Sequence, residues 1–129
     1  MTQESRSAGV VVKAAAKVPF QEVAAGRKAA MQVLLGPADG ATHFALRRFR
    51  MEAGGGMPLH TNRVEHEQYV LAGRGRVRIG EEIYDVEPGD VLLIPAGAPH
   101  SYEVLEGPFE FLCIVPNEPD QVEVLNTGH

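Results

Sequence analysis

The sequence predicts an all-β fold, a sandwich or barrel of short strands. Short apolar and β-branched runs recur from Val10 onward, and Gly, Pro and Asp interrupt them at regular intervals. Short strands with Gly/Pro turns at this spacing are typical of β-sandwiches and barrels. Helical patterning is confined to residues 22–31, where Gly26 leaves both a helix and a turn open as interpretations. We therefore expect strands to make up nearly all of the regular structure.

Six runs have the composition of strands, and a turn-forming segment follows most of them. The runs are 31–35, 43–51, 67–71, 74–79, 91–94 and 109–115. The turn segments are GPADG at 36–40, EAGGG at 52–56, AGRG at 72–75, EPGD at 87–90 and PAGAP at 95–99. Residues 1–8 are small and polar, so we expect a disordered tail there and one domain over residues 9–129.

Length and charge narrow the classes of function. The chain has 129 residues, the size of one ordinary domain, and a formal net charge of −5 at pH 7. Because phosphate backbones bind basic faces, we expect no nucleic-acid partner. Two groups of arginines are interpreted as solvated strand faces with acids nearby: Arg47, Arg48 and Arg50, and Arg74, Arg76 and Arg78.

Apolar content and cysteine usage predict a location. No run of about 20 apolar residues occurs, so we expect no membrane partner. Cys113 is the only cysteine and has no partner within the chain for a disulfide. A single thiol fits a reducing compartment, and we expect the protein to be cytoplasmic.

Three of the five histidines stand at the predicted ends of strands. His60 and Asn62 are two residues apart and would share one face of a strand, His66 begins the next run, and His100 follows the corner PAGAP. Neutral imidazole is a common ligand for Zn, Cu, Fe and Ni. A single histidine on a strand is usually structural, which is our interpretation of His43. The combination of three is what indicates a metal site.

The spacing of these residues resembles the two motifs of the cupin family. The first motif is matched at Gly54, His60, Asn62, His66 and Gly73, and the second at Gly89, Pro95, Gly97 and His100. Two motifs in the right order are more specific than one glycine pattern. The resemblance covers about residues 54–104. It implies a double-stranded β-helix, the jelly-roll barrel of cupins.

Two ligand positions depart from the usual cupin pattern. His66 stands where a Glu is usual and Asn62 where a second His is usual, while Val104 replaces the Asn that often closes the second motif. The segments EHEQYVLAGRG and FLCIVP are similar to the small four-histidine cupins that bind manganese or other divalent metals. The resemblance implies one divalent transition metal per chain (Mn, Fe, Ni, Cu or Zn) on His60, His66 and His100, with Asn62 a weak or lost ligand.

Such a site has a chemistry of its own. Three neutral imidazoles would leave a divalent ion its full charge and open positions, as in catalytic rather than structural sites. A strongly Lewis-acidic ion favours anionic ligands. We expect a metal-dependent oxygenase, a dioxygenase in particular, acting on a small organic anion. Two alternatives stay open, because the fold alone does not decide between them: a redox-neutral isomerase or hydrolase, and a non-catalytic cupin that binds a small molecule.

Three further residues are predicted in or beside the pocket. Gln68 shares a strand face with His66, where it is either a hydrogen-bond partner of a ligand or an ordinary interior polar residue. Phe111, Cys113 and Val115 alternate onto one face, which we expect to be the barrel interior. In the similar four-histidine cupins the matching cysteine lies near the metal.

The resemblance also implies a homodimer. Residues 9–12 form a short apolar run, which we interpret as a strand that crosses to the partner's sheet and covers its edge.

Overall fold

The computed structural model describes residues 9–125, which form eight strands of one antiparallel sheet folded into a jelly-roll barrel. The strands are β1 Gln21–Glu22, β2 Arg27–Leu35, β3 Phe44–Asn62, β4 His66–Ile79, β5 Glu82–Val86, β6 Val91–Ile94, β7 His100–Pro116 and β8 Val122–Val124. Two 3₁₀ turns lie at Ala15–Lys17 and Pro37–Asp39. The all-β prediction is therefore confirmed. The tail predicted at residues 1–8 and the last four residues, 126–129, lie outside the described part.

The three long strands form the centre of the sheet. The order is β1-β2-β3-β7-β4-β5, with β6 paired to β4 and β8 paired to β3. In this register His60 lies opposite His100, and both Arg47 of β3 and Gln68 of β4 lie opposite Cys113 of β7. Residues far apart in the sequence thus meet across β7. Within residues 9–125 no helix is long and apolar enough to cross a membrane.

Two of the predicted turn segments lie inside longer strands. EAGGG at 52–56 is part of β3 and AGRG at 72–75 is part of β4, and the ladders shift register at both places. Glycine allows a strand to bulge and to approach its neighbour closely without ending. A Cβ on Gly56 would lie 2.2 Å from the carbonyl oxygen of Tyr102 on β7. The glycines of segments 52–56 and 72–75 therefore lie within strands, so the prediction that strands end there is wrong.

The first part of the described chain corrects one expectation. Residues 23–26 form a turn between β1 and β2 and residues 27–31 belong to β2, so the helix interpretation of residues 22–31 is wrong and the turn interpretation holds for 23–26. Residues 10–14 pair with no described strand of their own chain, and the strand predicted at residues 9–12 to cross to a partner's sheet stays a prediction. Lys13 Nζ lies 2.8 Å from Asp39 Oδ1, and this ion pair links the segment to its own chain.

Strand alternation separates the interior from the surface, as expected for a pleated sheet. The largest side chains that are fully buried include Phe109, Phe111 and Met51. Phe111 stacks between Phe49 and Tyr102, with ring centroids 5.2 Å apart in both pairs. This apolar cluster encloses one side of the cavity in which the motif histidines lie.

Candidate metal centre

The ends of three strands bring the predicted ligands together. His60 and Asn62 close β3, His66 opens β4 and His100 opens β7. The corner before His100 is tied to the end of β3, because the Gly97 N–H donates to the Asn62 carbonyl at 2.8 Å. Gly97 has φ +79°, a left-handed conformation that suits glycine.

These four side chains line one cavity and are all buried. They are between 1% and 7% exposed, and the cavity has a volume of about 300 Å³. This is the low end of the size range of small-molecule sites. The sequence thus predicted correctly which residues are neighbours, whereas their role as ligands stays a prediction.

Backbone carbonyls set the orientation of two of the imidazoles. His60 Nδ1 lies 2.7 Å from the Pro58 carbonyl oxygen, and His100 Nδ1 lies 3.0 Å from that of Ala98. A carbonyl only accepts, so each Nδ1 carries the hydrogen and each Nε2 keeps its lone pair. A histidine that ligates a metal through Nε2 typically donates its other N–H in this way.

The third imidazole has an unpaired nitrogen in the interior. His66 Nδ1 lies 3.4 Å from Cys113 Sγ, while His66 Nε2 is buried and has no hydrogen-bond partner among the described residues. A buried polar atom without a partner costs about 1–3 kcal/mol, so such atoms usually face a ligand or an ion. In the tautomer whose hydrogen is on Nδ1, Nε2 has a free lone pair, which fits a metal ion in its chemistry.

Asn62 offers an oxygen in the same place. Its Nδ2 donates to Asp120 Oδ2 at 2.9 Å, and its Oδ1 is buried without a partner among the described residues. Because a carboxylate only accepts, the amide nitrogen must face Asp120 and the oxygen must face the other way. Asp120 therefore presents the oxygen of Asn62 as a potential weak ligand.

The rings are close, but they are not already arranged around an ion. The ring centroids of His60 and His100 are 4.1 Å apart, and those of His66 and His100 are 6.0 Å apart. Within the described residues no three His, Cys, Asp or Glu side chains form a group positioned to hold a metal. The donor types fit a divalent transition metal, whereas the ring positions would have to adjust to it.

Burial keeps the imidazoles neutral. It lowers the pKa of His66 to about 3, with the positive charges of Arg47 and His100 contributing, and lowers the pKa of His100 to about 4. Burial also lowers the pKa of His60. Charged imidazole is disfavoured where water is excluded. The neutral form is the one that binds metals.

Gln68 and Phe111 line the cavity, whereas Cys113 is fully buried and contacts His66 and Gln68. Gln68 Nε2 donates to the Tyr102 hydroxyl at 2.8 Å and approaches Cys113 Sγ at 3.6 Å, and Phe111 is 2% exposed. Burial raises the pKa of the Cys113 thiol. Gln68 lines the cavity, so both interpretations of it, a hydrogen-bond partner of a ligand and an interior polar residue, stay open. His43 is exposed and lies outside the cavity.

Sequence reasoning missed four polar residues that line the cavity: Glu22, Arg47, Tyr102 and Asp120. Alternation along β3 places Arg47 inside and Arg48 and Arg50 outside. There the two outer arginines pair with Glu110. The solvated-face interpretation was therefore wrong for Arg47 alone in this group, and period-2 alternation was the signal that could have separated it.

The sequence profile of the cupin domain matches residues 47–115, more than half of the chain. The chain belongs to the cupin family. This cupin is 30% identical over 80 residues to 1-methylthio-D-xylulose 5-phosphate methylsulfurylase of Rhodospirillum rubrum. The match covers 61% of the cupin but 51% of that protein, so this chain spans about half of its length.

Solved structures resemble this cupin over most of its length. The polyketide cyclase RemF of Streptomyces resistomycificus superposes with a TM-score of 0.82 and 27% identity, covering 92% of this chain and 88% of that one. A cupin-2 domain protein of Rhodospirillum rubrum gives a TM-score of 0.73 and 26% identity, covering 98% and 82%. A predicted oxalate decarboxylase of Thermotoga maritima, at 21% identity and a TM-score of 0.72 over 84% and 100%, shows the fold alone.

Proposed function

We propose that this cupin binds one divalent transition metal per chain through Nε2 of His60, His66 and His100, and that it acts on a small organic anion. The observation that carries the proposal is the buried Nε2 of His66, which has no protein partner among the described residues. The carbonyl contacts that hold the other two imidazoles with Nε2 unprotonated support it. Asn62 Oδ1 would be a weak fourth donor at most.

The metal would be Mn, Fe, Ni, Cu or Zn, since an imidazole-rich site suits several of these ions. Its chemistry would be Lewis-acid activation of a bound anion or, with a redox-active ion, reaction with dioxygen. The residues of the chain would shape what surrounds it. Phe111 and the methionines of the cavity exclude water, and Cys113 fixes the orientation of the His66 ring through Nδ1. An apolar lining that excludes water strengthens electrostatic contacts inside the cavity, because it lowers the local dielectric constant.

Within this proposal, an oxygenase, and specifically a dioxygenase, is the first candidate for the reaction. Three neutral ligands with open positions support it, because such a site leaves room for both an anionic substrate and a second reactant. The redox-neutral alternative, an isomerase or hydrolase, is supported by the 27% identity with a polyketide cyclase. Oxygen consumption upon Fe(II) loading would favour the oxygenase. Turnover that persists without oxygen in the zinc-loaded protein would favour the alternative.

Elemental analysis of protein purified without an affinity tag tests the metal site. We expect about one transition metal per chain in the wild type and much less in His66→Ala and His100→Ala. His43→Ala is the matched control, because His43 is exposed and lies outside the cavity. Unchanged metal in both cavity variants would refute the assignment. No metal in the wild type after reloading would favour a non-catalytic binding protein.

Two further expectations also remain proposals. We propose a homodimer located in the cytoplasm; the unpaired, buried Cys113 is consistent with a reducing compartment. Light scattering at micromolar concentration tests the dimer, and a monomer would contradict it.

A further inference from the structure

Arg47 is a cation on the inner face of β3, inside the cavity that holds the motif histidines. Arg48 and Arg50, on the outer face of the same strand, both pair with Glu110, and Arg76 pairs with Asp85. Among residues 9–125, by contrast, Arg47 forms no ion pair with a carboxylate. Arg27, Arg74 and Arg78 likewise form none, but among the arginines of residues 9–125 Arg47 alone lines the cavity.

The contacts of Arg47 are weak ones for a guanidinium. Its Nη2 lies 3.3 Å from Cys113 Sγ and its Nη1 lies 3.9 Å from Met31 Sδ, and sulfur is a poor acceptor. The guanidinium carbon lies 5.1 Å from the centroid of the Phe49 ring. Its Nε is buried and has no hydrogen-bond partner among the described residues. The fork of N–H donors thus lacks a strong acceptor.

A charged donor group inside a protein is normally paired, since removing it from water without an acceptor is costly. The cavity is the space that such an acceptor can occupy. Because this cavity also holds the candidate metal centre, the inference rests on the proposed function and concerns the same ligand. We propose that Arg47 binds the carboxylate of that ligand, and that the ligand is a small amphipathic carboxylic acid.

The surroundings favour a carboxylate over a phosphate ester. A planar guanidinium fork matches the two oxygens of a carboxylate. Glu22 and Asp120 line the same cavity, and their charges oppose a dianion more strongly than a monoanion. Phe49, Met51 and Phe111 form an apolar wall that suits a hydrophobic body. The cavity, of about 300 Å³, restricts this body to a small one such as a single ring.

A short chain of contacts links Arg47 to the histidines. Cys113 Sγ lies 3.3 Å from Arg47 Nη2 and 3.4 Å from His66 Nδ1. Arg47 on β3 and His66 on β4 therefore contact the same sulfur atom from the two strands on either side of β7. A carboxylate held by Arg47 would place the rest of the molecule beside the imidazole cluster, so that Arg47 sets the orientation in which the ligand enters the site.

Calorimetric titration with benzoate, benzamide and phenyl phosphate tests this inference. Benzoate and benzamide have the same ring and differ in charge, while phenyl phosphate adds a larger anion. The variants are Arg47→Met and Arg47→Lys, with Arg76→Met as the control, because Arg76 is half exposed and pairs on the outer surface. Each protein is titrated both as purified and after treatment with a chelator. Metal content is measured alongside.

We expect the wild type to bind benzoate more tightly than benzamide or phenyl phosphate. Arg47→Met should weaken benzoate binding by roughly tenfold to a hundredfold, with Arg47→Lys intermediate and Arg76→Met unchanged. In the wild type, the NMR signal of the Arg47 Nε–H should shift on addition of benzoate but not of benzamide, which tests the contact even if a variant does not fold.

Three results would overturn the inference. They are an absence of benzoate binding to the wild type, equal benzoate affinity in Arg47→Met, and tighter binding of phenyl phosphate that depends on Arg47. Benzoate binding that is lost with the chelator but not in Arg47→Met would show that the metal alone holds the anion. Arg47-dependent binding in a wild type that takes up no metal even after reloading would instead contradict the proposed metal site and leave the arginine assignment standing.

Discussion

The metal-free protein should lose stability between about pH 7.5 and pH 5, well above the range in which carboxylates titrate. The cause is the pair of buried imidazoles of His66 and His100, whose pKa values lie at about 3 and about 4 in the folded protein. In the unfolded chain the same groups have a pKa of about 6.5. At pH 5 the unfolded state therefore binds these protons and the folded state does not.

The sign and size follow from proton linkage. The unfolded state binds more protons than the folded state over this pH range, so the free energy of unfolding rises with pH. It reaches its full value only above the pKa that histidine has in the unfolded chain. At about pH 5, some 1.5 units below that pKa, each imidazole lowers the free energy of unfolding by about 2 kcal/mol. Two imidazoles give about 4 kcal/mol. Hydrogen bonds from Arg63, Asn62 and Gln121 outweigh burial and lower the pKa of Asp120, so its contribution is lost only below this window.

Urea denaturation in the presence of a chelator measures this effect. His66→Gln should reduce the pH-dependent loss by about 2 kcal/mol, since one buried imidazole is gone while His100 and His60 remain. His43→Gln, a change at an exposed residue outside the cavity, should leave the loss unchanged. If the free energy of unfolding of the wild type is the same at about pH 7.5 and about pH 5, the predicted loss of stability is refuted. Such a result would show that the imidazoles are solvated or already charged in the folded protein.

Two further substitutions test the surroundings of the site. Asp120→Ala frees the amide of Asn62 and should weaken metal affinity by roughly tenfold to a hundredfold, measured by competition with a chromophoric chelator. The exposed Glu118, two residues earlier, provides the control Glu118→Ala, and equal affinities in the two variants would show that Asp120 has no part in the site. Gly56→Ala should lower the free energy of unfolding by at least about 2 kcal/mol, because the new Cβ meets a backbone oxygen of β7. Gly80→Ala meets nothing within 4 Å and should cost only about 1 kcal/mol for its positive φ, so a Gly56→Ala variant as stable as Gly80→Ala would contradict the close approach of β3 and β7.

Local pattern was enough to predict the fold and most of the cavity. Strand alternation has a period of two, so the shared face of Phe111 and Cys113 can be read from the sequence alone. The two motifs likewise place His60, His66 and His100 at strand ends, where the structure has them. Glycine was the less reliable signal, since it permits both turns and bulges. For this reason the segment at 52–56 was mistaken for the end of a strand.

The sequence by itself determined that this chain is all-β, because short strands follow from short-range periodicity, and the resemblance of its two motifs to those of cupins implied that three histidines meet in one place. Only the tertiary structure decided what surrounds them. Asp120 meets Asn62 from 58 residues away, and Arg47 meets Cys113 from 66 residues away. Such contacts depend on strand order and register, which the whole sheet sets at once. Alternation along β3 could have placed Arg47 on a different face from Arg48 and Arg50, but only the closed barrel shows that this face lines the cavity of the histidines.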